Sequence, residues 1–89
     1  MDYYETARDL LEGVCEEAER DFDEFLQACG VDPNKFELPP DGLDFTVEDI
    51  QALAEILQKH WGDEPDYEEI PDEAEDFLVN FVFEQLIEK

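Results

Sequence analysis

Asp2, Glu5, Asp9, Glu12, Glu16, Glu19 and Asp23 follow one another at alternating spacings of three and four residues. On an α-helix, which turns by about 100° per residue, that spacing sets all seven carboxylates in one stripe. Glu17, Asp21 and Glu24 bring the acids between Asp2 and Glu24 to ten, over a rise of about 33 Å. One acid per ~3.3 Å matches the scale of one strand of B-form DNA, with a phosphate per ~3.4 Å. Arg8 and Arg20 lower the net count to eight. A second cluster, Asp63, Glu64, Asp66, Glu68, Glu69, Asp72, Glu73, Glu75 and Asp76, places nine acids in fourteen positions with no base among them. The chemistry open to both clusters is Coulombic, namely reception of Lys and Arg side chains. Tyr67, inside the second cluster, can stack on an Arg and is the single hot-spot candidate.

Other chemistries find little to work with. The chain contains no serine, so a Ser/His/Asp set cannot be formed, and there is no Gly-rich phosphate loop. His60 is the sole histidine and is assigned to packing beside Trp61 on the buried side of a helix. A calcium loop needs a turn glycine, whereas the stretch from Asp63 to Glu75 lacks one and contains Pro65 and Pro71. Cys15 and Cys29, fourteen positions apart on one expected helix, would be separated by about 21 Å, beyond the ~7 Å reach of a disulfide. Both are read as reduced core residues. No catalytic residue, metal or cofactor is expected.

Three helices are expected to carry these residues. Tyr4, Ala7, Leu11, Val14, Ala18, Phe22, Phe25 and Cys29 recur three or four apart, which predicts one long amphipathic helix over about 2–29. Gly30 is suited to cap it and Pro33 prevents continuation. An ordered loop follows at about 31–45, pinned by Phe36, Leu38, Leu43 and Phe45. Thr46 is the N-cap of a second helix that Gly62 ends, with Val47, Ile50, Leu53, Ala54, Leu57 and Trp61 as its buried stripe. The third helix runs from Pro71 or Asp72 to Glu88. Its apolar residues cover nearly the whole circumference, so Phe77, Phe81 and Phe83 are assigned to a central position or to a homodimer interface. The expectation is an all-α fold, a small helical bundle of three main helices forming one domain over 1–89.

Hydrophobic residues make up 43% of the 89-residue chain and aromatics 12%, enough for a folded core. Twenty-eight acids against five bases give a formal net charge of −23. Such an imbalance repels itself, so it opposes folding unless salt or a cationic partner screens it. Direct contact with nucleic acid or an anionic membrane surface is disfavoured because no Lys/Arg cluster exists to replace counterions. A basic, Lys/Arg-rich protein is the expected partner. Met1 to Glu5 show no secretory pattern and no apolar run approaches ~20 residues, so a cytoplasmic location is expected, the host's if the protein is phage-encoded.

Asp41-Gly42-Leu43-Asp44 and Ile70-Pro71-Asp72-Glu73 resemble parts of acyl carrier proteins, but Gly42 stands where that family carries its serine. In size, charge and helical content the whole chain resembles small acidic DNA-mimic inhibitors of the phage anti-CRISPR and anti-restriction kind. That resemblance implies a protein that blocks a basic nucleic-acid-binding complex, such as a CRISPR effector or restriction system. Two alternatives belong to other classes: an immunity protein or antitoxin covering a basic toxin, and an acidic dimeric adaptor. Adaptation of the charge to high salt is a further reading.

Overall fold

The computed structural model describes every residue except Met1, Asp2, Pro65, Tyr67 and Glu68. The sequence assignments made for Asp2, Tyr67 and Glu68 therefore lie outside the described residues. The chain order is α1 (Tyr4–Arg20), α2 (Phe22–Ala28), a 3₁₀ turn (Pro33–Lys35), β1 (Phe36–Glu37), α3 (Val47–Trp61), α4 (Asp72–Gln85) and β2 (Ile87–Glu88). The fold is an all-α bundle, with β1 and β2 forming a two-stranded antiparallel ribbon in which Phe36 faces Glu88 and Glu37 faces Ile87.

The expected continuous helix over 2–29 is broken at Asp21, whose φ of −123° and ψ of 55° leave the helical region. Neither Pro nor Gly stands there. Aspartate is a poor helix-interior residue because its carboxylate competes for backbone groups. The break also redirects α2 so that Leu26 is fully buried, a gain of about 1.5–3 kcal/mol. The Asp21 N–H still bonds the Glu17 carbonyl and the Phe25 N–H bonds the Asp21 carbonyl, so the two helices meet at a kink without an intervening loop.

Local signals place the other ends. At the end of α2 the Val31 N–H bonds the Leu26 carbonyl and the Gly30 N–H bonds the Gln27 carbonyl, with Gly30 at φ +78°. This is a Schellman cap, and it needs a residue that tolerates the left-handed region. Thr46 and Asp49 form a reciprocal capping box at the start of α3. The end of α4 departs from expectation: Gln85 is its last residue, Leu86 turns extended, and the final residues leave to pair with β1. The Lys89 N–H extends that pairing by bonding the Lys35 carbonyl.

The core lies where α1, α3 and α4 meet. Tyr3, Ala7, Leu11, Cys15 and Ala18 bury one face of the first segment against Ile50, Leu53 and Leu57 of α3 and Ala74, Leu78, Phe81 and Val82 of α4. The buried face thus includes Tyr3, just before α1, and Cys15, while Tyr4 and Val14 are only half-buried. The Tyr3 hydroxyl donates to the Gly62 carbonyl, and its ring lies 5.8 Å from that of Trp61. This pins the start of α1 to the end of α3 and sets those helices antiparallel.

Candidate functional site

Glu5, Asp9, Glu12 and Glu16 are all exposed on α1, opposite the face that carries Ala7, Leu11 and Ala18. Burial of that apolar face leaves the carboxylates outward at the same helical period. Arg8 stands exposed on the same helix, three residues after Glu5 and four before Glu12, and Glu16 has Arg20 at 3.9 Å. Both side chains are largely exposed, so the pair contributes at most a few tenths of a kcal/mol.

The remaining stripe residues behave differently. Glu19 is exposed, but its Oε1 accepts the backbone N–H of Leu43 at 2.7 Å and so holds the loop before α3. Asp23 is exposed on α2, beyond the kink, and does not continue the line of α1. Of the seven acids read as one stripe, Asp2 lies outside the described residues, Glu5, Asp9, Glu12 and Glu16 share one face of α1, Glu19 holds the loop before α3, and Asp23 stands beyond the break at Asp21.

In the second cluster Asp63, Glu64, Asp66 and Glu69 are exposed in the connection between α3 and α4. Asp72, Glu73, Glu75 and Asp76 are exposed in the first turns of α4. There the positive end of the helix dipole favours them, by about 0.3–1 kcal/mol each at low salt. Glu73 is held by the last turn of α3, with Lys59 Nζ at 3.6 Å and His60 Nε2 at 3.7 Å from its Oε1. His60 is exposed, not on the buried side assigned to it, because Trp61 and Leu57 occupy the inward positions of that turn.

The aromatic residues of α4 are mostly spent inside the chain. Phe81 is 8% exposed and belongs to the core, so its assignment to a dimer interface is corrected. Phe77 packs against the core, and the Phe83 ring lies 6.0 Å from that of Phe36. α4 thus packs on α1 and α3 through one face and meets β1 through Phe83, with Val79 left half-buried.

Cys15 and Cys29 are both free thiols. Burial, with Glu19 and Asp44 adding to it, pushes Cys15 up to about 11. Burial first and Glu75 second also raise Cys29. Neither thiol is therefore suited to act as a nucleophile near neutral pH. Among the described residues no group of three or more His, Cys, Asp or Glu side chains is placed to hold a metal ion, and no helix is long and apolar enough to cross a membrane.

Gly42 has φ +79°, and a Cβ there would stand 2.6 Å from Glu19 Oε1. A serine at this position, the feature an acyl carrier would need, would be strained. No protein-family model, curated protein or solved structure matches the chain. Spacing located the acidic surface, but it could not separate Glu19 from its neighbours, since the Leu43 contact joins residues twenty-four apart.

Proposed function

We propose that this is an acidic binding protein that occupies a Lys/Arg-lined nucleic-acid-binding surface of a partner, its carboxylates standing in for phosphates. A CRISPR effector or a restriction system is the kind of target that would be inhibited in this way. The reading is supported above all by the face of α1, where Glu5, Asp9, Glu12 and Glu16 stand exposed with two flanking bases, Arg8 and Arg20. Surface acids in excess of their flanking bases add repulsion and little stability. The break at Asp21 shortens the surrogate strand, so α1 presents a short polyanionic segment.

The test is competition combined with charge reversal. A DNA-binding partner bound by the protein should be released by duplex DNA, and affinity should fall steeply with salt. Reversing Glu5, Glu12 and Glu16 together to Lys should weaken binding by about 100-fold at ~0.15 M salt, with the helical content unchanged. Equal binding at low and high salt, or no effect of the triple reversal, would remove α1 as the contact surface.

A further inference from the structure

Between α1 and α4, closed at one end by α2, lies an open groove of about 1130 Å³. Its floor is apolar: Leu10 and Val14 from α1, Phe25 from α2, and Ile70, Leu78 and Val79 from the α4 side. All but Leu78 are half-buried, so they remain partly open to water. The rim is acidic on both sides, with Asp9, Glu17, Asp21 and Glu24 along one edge and Glu75 and Asp76 along the other. No Lys or Arg lines the groove, and of these acids only Asp21 has a basic partner among the described residues, Arg20 at 3.3 Å.

Gly13 supplies an independent observation. It lies on the groove, in the interior of α1, where glycine is the least favourable residue after proline. Its φ is not in the left-handed region, and a Cβ built on it would meet nothing within 4 Å. Neither backbone conformation nor packing among the described residues requires glycine there. What a bare backbone in a groove does permit is close approach by another molecule.

We infer that this groove receives a cationic amphipathic helix of the partner, its apolar side on the floor and its Lys/Arg residues against the rim. The inference deepens the function proposed above and rests on it for the basic character of the partner. A helix fits better than an extended segment, because the walls are helices whose backbone groups are already bonded. They have no strand edge to offer, and an extended chain would leave its own N–H and C=O groups unpaired over an apolar floor. From Asp9 to Glu17 the groove runs about 12 Å, or two helical turns, which suits anchors at i, i+3 or i+4, and i+7. A second copy of this chain is a poor occupant, since it would bring its own net charge of −23 to an acidic rim.

The probe is a labelled Leu/Lys peptide of about 18 residues with amphipathic helical spacing, long enough to form a helix on binding. Its control is a scrambled isomer of the same composition. The amphipathic peptide is expected to bind about 10-fold or more tightly than the isomer, and to keep that preference at ~0.5 M salt, where exposed charges are largely screened. Gly13→Leu and Val79→Glu should each abolish the preference, with circular dichroism showing an intact fold. Gly13→Ala should raise the melting temperature of the free protein while weakening peptide binding. Because a Cβ at Gly13 meets no described atom within 4 Å, Gly13→Ala keeps the test valid if Val79→Glu or Gly13→Leu fails to fold. The Glu5, Glu12 and Glu16 triple reversal should leave the ratio between the two peptides intact, so failure of the α1 surface and failure of the groove are separable. Equal binding of both peptides, an unchanged preference in Gly13→Leu, or a sedimenting dimer that Gly13→Leu dissociates would each overturn the inference, the last by assigning the groove to a second copy.

Discussion

Glu19 belongs to the acidic row by spacing, yet its carboxylate accepts the Leu43 N–H and sits where a side chain on Gly42 would have to go. Gly42→Ala should therefore destabilise the protein by about 1–2 kcal/mol in urea denaturation, through backbone strain and displacement of Glu19. Glu19→Gln keeps an acceptor and removes a charge, so it should be at least as stable as the parent. Glu19→Ala should fall about 1 kcal/mol below Glu19→Gln; equal stability of the two would show that the bond contributes nothing. Cys15 gives a pH signature. Its folded-state value of about 11 lies above the ordinary thiol value of 9.0, so the unfolded chain loses this proton first. The contribution is complete below pH 9 and is lost as pH rises toward about 11, giving a melting temperature that falls through that window. Cys15→Ala should flatten the fall.

Helix boundaries were readable wherever a local device sets them. Thr46 with Asp49, Gly30 with Val31, and Gly62 act within a few residues of where they stand, so residue type and position suffice to place α3 and the end of α2. Thr46→Ala should lower stability by about 1 kcal/mol in thermal or urea denaturation, since both reciprocal cap bonds depend on that hydroxyl or its geometry. An unchanged midpoint would show that water replaces the cap without loss. The break at Asp21 and the early end of α4 were not readable. Apolar periodicity continues through Phe22 and Phe25, and through Leu86 and Ile87, whereas burial of Leu26 and pairing with Phe36 and Glu37 decide where the chain turns.

At the scale of the molecule, a net charge of −23 is carried on a body measuring 42 × 24 × 17 Å. At ~0.01 M ionic strength the Debye length of about 30 Å exceeds two of those dimensions, so most carboxylates repel one another across the molecule. At ~0.15 M it falls to about 8 Å, and repulsion is confined to neighbours. The melting temperature should therefore rise by about 5 °C or more between these two salt concentrations, the shift that roughly 1 kcal/mol produces in a domain of this size. A flat response would mean that the acids are already balanced within the fold. Binding to a basic partner should move in the opposite direction, weakening as salt rises, so one titration separates the stability effect from the recognition effect.

What composition and periodicity determined was the helical class, the core candidates Ala7, Leu11, Ile50, Leu53 and Leu57, and the outward position of Glu5, Asp9, Glu12 and Glu16. These follow from a period of 3.6 residues and from the cost of burying charge, both of which act locally. The tertiary structure alone decided that the acidic row stops at a kink, that Glu19 and Glu73 are held by other elements, and that Phe81 faces inward. It also created the groove over Gly13, because a surface made by three helices depends on contacts between residues far apart in the chain, which spacing along one helix cannot encode.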